Sequence, residues 1–190
     1  SPTLNCFVGL NGMGKTNILD AVHFLCLCRN HTGLSDKNLV QHGAAFFRLE
    51  GIFDHGGMSE KVVAKYLPNQ RKEIERNGTP VQKITEYIGQ NPVVMIAPDD
   101  VALVQEGSED RRRFLDATLS QIFPEYLQAL LLYNALLKQR NALLKIFAEE
   151  RRFDAALLEA LNRQMPAPAA LIFERRKAFE TDIKPLFAEL

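Results

Sequence analysis

The run Gly9-Leu10-Asn11-Gly12-Met13-Gly14-Lys15-Thr16 constrains this chain more than any other segment. It fits G-x-x-x-x-G-K-[ST], and it lies between an apolar stretch, Leu4–Val8, and an apolar helical pattern that starts at Asn17. Average composition produces the four fixed positions by chance in about one chain of this length in a hundred. Glycines let the backbone curl so that successive N–H groups aim inward, and a helix N-terminus behind them adds partial positive charge. Such a loop cradles phosphate oxygens. Gly9, Asn11, Gly12, Met13, Gly14, Lys15, Thr16 and Asn17 are therefore the candidate nucleotide-binding residues. Lys15 reaches the β/γ-phosphates in this reading, and Thr16 offers its hydroxyl to Mg²⁺. The plain alternative is a strand-to-helix turn with an incidental lysine.

A complete nucleoside triphosphatase also needs an acid at the end of a second apolar strand to hold the metal, and a group that positions water. Val93–Ile96 resembles that strand, but Ala97-Pro98 separates it from Asp99 and Asp100. Pro98 reads as the first residue of a short helix with the acids in its first turn. Asp54, before His55-Gly56-Gly57, reads as a hairpin residue. No catalytic residue is assigned. Cys26 and Cys28 lack a zinc-type partner pair and are expected as core thiols, and His23 as a packing residue.

Of the residues, 46% are apolar, enough for a buried core. The longest apolar stretches, Ala21–Cys28 and Leu127–Leu137, fall short of the roughly 18 residues of a membrane span and contain His23 and Asn134. The start does not read as a secretory signal, and three cysteines are too few for a disulfide framework, so a reducing, cytoplasmic setting without membrane attachment is expected. Net charge is zero, yet residues 111–152 carry 8 basic against 4 acidic side chains. A phosphate-bearing partner fits there, with Arg112, Arg113, Lys138, Arg140 and Lys145 as candidate contacts. The competing view is a solvated helix face.

Periodicity changes near residue 105. Before it, Phe46–Phe53, Lys61–Leu67 and Arg71–Arg76 alternate with turn residues and predict an antiparallel meander, followed by a short helix at Gln82–Ile88 and a buried strand at Val93–Ile96. Leu4–Val8 is a further expected strand. After Gly107 the pattern is helical, with Glu109 and Asp110 at a helix start. The expected fold is α/β, divided into a nucleotide-binding lobe, 1–104, and a helical arm lobe, 105–190.

Three blocks of residues now carry a resemblance. Gly9–Ala21 with Cys28-Arg29 and Asp36-Lys37 resembles the opening of the RecF family of bacterial recombination mediators. Val94–Val104 with Gly107 and Arg111–Asp116 resembles the family's most distinctive stretch, and Tyr126–Leu130 through Leu137–Lys145 is similar to its helical arm. Asn11-Gly12 and Thr16-Asn17 are also similar to the wider class of ABC-type DNA-repair ATPases that includes the SMC proteins. The resemblance implies an ABC-type phosphate-loop head with an antiparallel β portion and a helical arm, which binds ATP and Mg²⁺ and pairs as an ATP-stabilised homodimer. It further implies weak DNA-dependent ATP hydrolysis, binding to single-stranded gaps and their duplex junctions, action with RecR and RecO, and a place in recombinational repair, replication and the SOS response. The family's further strands before Leu4, and its later serine-glycine-rich motif, metal-binding acid and glutamate, lie outside this sequence, which looks like an N-terminal fragment. A small-molecule kinase with the same loop is the alternative. Kinases usually continue into a parallel sheet and an arginine-bearing lid, whereas a meander is expected here.

Overall fold

The computed structural model describes residues 3–105 and 107–188, with the side chains of Asp99, Ala102 and Val104 outside that description. The chain forms two compact units, Ser1–Ala97 and Pro98–Leu190.

In the first unit a glycine-rich loop leads into helix α1, Lys15–Leu27. A four-stranded antiparallel sheet follows in the order β1-β2-β3-β4: β1 Phe47–His55, β2 Met58–Tyr66, β3 Glu73–Arg76 and β4 Thr79–Pro80. The meander is thus present. Two turns set its register. Gly56 (φ 64°) and Gly57 (φ 94°) both adopt the left-handed region, which a two-residue hairpin needs to match strand twist, and His55 pairs with Met58. Asp54 is a hairpin residue as expected: its Oδ1 accepts the Gly57 N–H at 2.7 Å. Asn77 and Gly78 (φ 47° and 79°) close β3 onto β4 in the same way, and Asn77 Oδ1 accepts the Lys61 N–H at 2.8 Å.

Alternation along β1 turns Phe47, Leu49, Gly51 and Phe53 inward and leaves Arg48, Glu50 and Ile52 outward. Helix α1 lies across the inner face, and Phe24, Leu25 and Cys28 form the core with Val62, Ala64, Ile74 and Tyr87. Tyr87 belongs to the short helix α2, Ile84–Tyr87, and its hydroxyl donates to the Leu25 carbonyl. Burial pushes the Cys26 thiol up to about 11 and the Cys28 thiol up to about 12, as suits core thiols.

Leu4–Val8 and Val93–Ile96 depart from expectation, since neither is a strand of the sheet. Continuous apolar runs form strands where both faces are covered. Here Val8 is 94% and Ile96 84% exposed, so the cover that the pattern calls for is not supplied by the described residues.

The second unit is helical. A 3-10 turn at Pro98–Val101 places Asp99 and Asp100 after the proline, as expected, and leads into α3, Ala102–Gln105. Helix α4, Ser108–Ile122, carries Glu109 and Asp110 in its first turn, where a helix dipole favours acids. Helix α5, Pro124–Glu150, opens on proline, which needs no N–H there. Helix α6, Ala155–Asn162, is capped by Asp154, whose Oδ1 accepts the Leu157 N–H at 3.0 Å, and α7 spans Pro166–Ala188. Leu119, Tyr126, Ala129 and Ile172 join α4, α5 and α7 in a core. Beside it, Tyr126 donates to Asp116 Oδ1 while Arg176 donates to Tyr126 Oη at 3.0 Å and to Asp116 at 2.6 Å.

Candidate nucleotide site

Gly12 (φ 81°) and Gly14 (φ 82°, ψ 14°) hold the loop in left-handed conformations, and Gly14 is the N-cap of α1. A side chain at either position is strained by the backbone alone. Gly9 has no such φ, and a Cβ there meets nothing within 4 Å, so the space beside it is open. The first turn of α1 contains no acidic residue, leaving its partial positive charge uncancelled. Lys15 arches back over the loop, where Nζ donates to the Gly9 carbonyl at 2.8 Å and the Leu10 carbonyl at 2.7 Å. Its charge therefore sits inside the loop's curve. Thr16 and Asn17 follow on the exposed first turn of the helix. Positive-φ glycines, a lysine within the loop and a helix N-terminus without first-turn acids are groups that can hold phosphate oxygens, and the hydroxyl beside them is of a type that can ligate a hard cation.

The remaining sequence candidates separate. Asp54 serves its turn. Asp100 is half-buried, and the Asp99 side chain lies outside the described residues. Among the described residues no group of three or more His, Cys, Asp or Glu side chains is arranged to hold a metal ion. His23 is a buried packing residue: Nδ1 donates to the Arg29 carbonyl at 3.0 Å, and the ring meets His31 edge-on at 5.7 Å. Burial, partly offset by that carbonyl, lowers its pKa.

The basic candidates do not form one surface. Lys138 and Lys145, seven residues apart, share a face of α5, and both are exposed. Lys145 makes a loose pair with Glu149 at 3.7 Å. Arg140 points elsewhere, its Nε donating to Asn162 Oδ1 at 2.9 Å and tying α5 to α6. On α4, Arg112 donates to Ser108 Oγ at 2.8 Å, and Arg113 pairs with Asp110 at 3.2 Å and Glu109 at 3.4 Å.

Two polar groupings escaped the sequence. Glu60 turns inward at the end of the sheet, where Arg76 Nε donates to it at 2.8 Å and Asn91 Nδ2 at 3.4 Å. Burial is the largest influence on this carboxyl and raises its pKa, but Arg76, Asn91 and His55 together hold it below the usual range. Only the inward position of residue 60 in the alternation of β2 could have flagged it. The second is Asp20, one helical turn beyond Thr16, whose Oδ1 is buried without a hydrogen-bond partner.

A glycine-rich loop capping a helix and packed beside an antiparallel meander defines a phosphate-loop head, and the chain belongs to the AAA domain family, which matches residues 1–189. Within that class its likeness is to RecF. It is 41% identical over 191 residues to the DNA replication and repair protein RecF of Porphyromonas gingivalis, and 40% identical over 189 residues to that of Parabacteroides distasonis. Each alignment covers all of this chain and 51% of the relative, so the chain spans about half the length of the curated relatives it matches. A solved structure described as the recombination mediator protein RecF-ATP in the RecFOR pathway superposes with a TM-score of 0.86 at 31% identity, covering 93% of this chain and 48% of that one. A second, described as RecF-ATPrS, gives 0.87.

Proposed function

We propose that this chain is the phosphate-binding part of a RecF-type protein of DNA replication and recombinational repair. Gly9–Thr16 and Asn17 bind the phosphates of ATP, and Thr16 ligates Mg²⁺. When bound, the metal would neutralise phosphate charge beside the Thr16 hydroxyl. The chain's own part is to present inward N–H groups at Gly12–Lys15, to place the Lys15 ammonium against the outer phosphates in exchange for its contacts with the Gly9 and Leu10 carbonyls, and to set the Thr16 hydroxyl at the helix start. The γ-phosphate then favours a paired state of two copies, which binds DNA at single-stranded gaps and duplex junctions and acts in the cytoplasm with RecR and RecO. Hydrolysis dissolves the pair. Supporting this over a small-molecule kinase are the antiparallel meander and the RecF relatives and structures.

The observation that carries the reading is Lys15 held within the curve of a loop whose two positive-φ glycines precede a helix free of first-turn acids. In the full-length protein, Lys15→Ala should abolish ATP binding in calorimetry and leave the unfolding midpoint within a degree or two, because Lys15 lies outside the core. Unchanged ATP affinity would overturn the assignment.

A further inference from the structure

The turn between α5 and α6, residues 151–154, holds an aromatic ring out in the open. Phe153 is 67% exposed, and its ring meets the half-buried Phe147 at 5.3 Å between centroids and 68° between planes. A near-perpendicular contact of this kind engages at most one face of the Phe153 ring, so it fixes the ring and leaves a face open. Arg151 and Arg152 precede it, both exposed and neither with an ion-pair partner among the described residues. Arg151 takes the left-handed conformation (φ 51°) at the C-cap of α5, where ending the helix calls for glycine and not for a guanidinium. Of the nearby acids, Asp154 caps α6 and Glu149 pairs with Lys145, so Glu150 alone stands uncommitted beside two uncommitted guanidinium groups.

A protruding ring cannot enclose a partner's side chain, but a planar group can lie against its face, and a guanidinium beside it binds phosphate. Single-stranded nucleic acid offers both partners at each residue, an unpaired base and a phosphate. Bases within a duplex already stack on one another and have no free face for a ring at the side. An acidic peptide shares the charge, but its own apolar anchor needs a recess, and Phe153 projects. The path of positive charge also continues inward, since Lys145 lies six residues, about 9 Å, before Arg151 along α5. We propose that the α5–α6 turn is a contact for single-stranded DNA, in which a base stacks on the open face of Phe153 while Arg151 and Arg152 hold flanking phosphates. The inference rests on the DNA reading above and adds to it which part of a gapped substrate this turn engages, the unpaired strand.

The test is the affinity of the full-length protein, with ATP and Mg²⁺, for three labelled probes: an oligothymidine, an abasic strand of the same length and a blunt duplex. Removing a ring on which a base stacks typically weakens binding about 5- to 150-fold. Phe153→Ala should therefore weaken oligothymidine binding roughly tenfold and leave the abasic strand and the duplex within about twofold. Phe153→Leu keeps apolar packing on Phe147 without the aromatic face; it should lose as much, and it carries the test if the alanine variant does not fold. Phe153→Trp should keep the parent's affinity, and its added emission should be quenched by oligothymidine and not by the abasic strand. Arg151→Gly relaxes the left-handed cap, so it should hold or raise the unfolding midpoint while lowering the single-strand salt slope by about 0.7, one phosphate contact. Parent-like oligothymidine affinity in the alanine and leucine variants, or an equal loss on base-bearing and abasic strands, overturns the proposal. So does a loss confined to an acidic, phenylalanine-bearing peptide with single-strand binding intact, which would make the turn a peptide dock. A parent that binds none of the three probes overturns the DNA reading itself, and this inference with it.

Discussion

Single residues in this chain divide by whether their reason is local. Gly12, Gly14, Lys15 and Thr16 were legible because loop curvature and charge are set within eight consecutive residues. Gly51 was not legible: its reason is Leu25, twenty-six positions earlier, whose Cδ1 would lie 2.7 Å from an added Cβ. That approach brings α1 onto β1. Gly51→Ala should destabilise the first unit by about 1–3 kcal/mol, the usual cost of overpacking a filled core, read as a lower denaturant midpoint. An unchanged midpoint would mean that Leu25 has room to move. His23 gives a pH signature. Its folded pKa is below the ordinary value of about 6.5, so the unfolded chain binds more protons near that pH and stability rises with pH there. The contribution is complete above about 6.5 and is lost as pH falls through the lower folded value. His23→Gln should flatten the unfolding midpoint between about pH 7 and 5; an identical slope in parent and variant would reject this.

Elements were legible where turn chemistry is strong. Asp54-His55-Gly56-Gly57 and Asn77-Gly78 announced the two reversals that set the sheet's register, and Pro124 and Gly107 bracketed helices. Leu4–Val8 and Val93–Ile96 misled because an all-apolar run states what it needs, cover on both faces, and cannot supply it. The contact between α7 and the α4–α5 pair was hidden for a different reason, since Asp116, Tyr126 and Arg176 are ordinary surface types until three helices bring them together. Burial, then the Asp116 carboxylate, pushes the Tyr126 hydroxyl up to about 12, so it stays protonated and donates throughout the neutral range. Arg176→Met should cost about 1–3 kcal/mol because it leaves the half-buried Asp116 and the buried Tyr126 with one donor fewer, whereas Tyr126→Phe should cost about 1 kcal/mol. Equal stability of all three proteins in urea titrations would reduce the cluster to a surface ion pair.

At the scale of the whole molecule, 23 basic and 23 acidic residues cancel, so no net field draws the chain to nucleic acid and any attraction must be local. Structure sharpens which local charges are suited to it. Arg140 is engaged with Asn162 and Arg113 with Asp110 and Glu109, whereas Lys138 is exposed and has no ion-pair partner among the described residues. Lys145, on the same face, is held only by an exposed pair with Glu149 at 3.7 Å, of a kind worth little against a phosphate competitor. The sequence supplied the excess of charge but not this sorting, because helical phase and the α5–α6 contact decide it. If the α5 face touches DNA backbone, each lost phosphate contact lowers the slope of log affinity against log salt by about 0.9 for duplex DNA. Lys138→Ala with Lys145→Ala in the full-length protein should therefore reduce that slope by roughly 2 and weaken binding similarly across sequences. Arg140→Ala should instead lower the unfolding midpoint and leave the salt slope near the parent's, since its hydrogen bond joins two helices. A double lysine variant with the parent's affinity and slope would make that face a solvated one, and a slope change in Arg140→Ala alone would move the DNA contact to the α6 side of the helix.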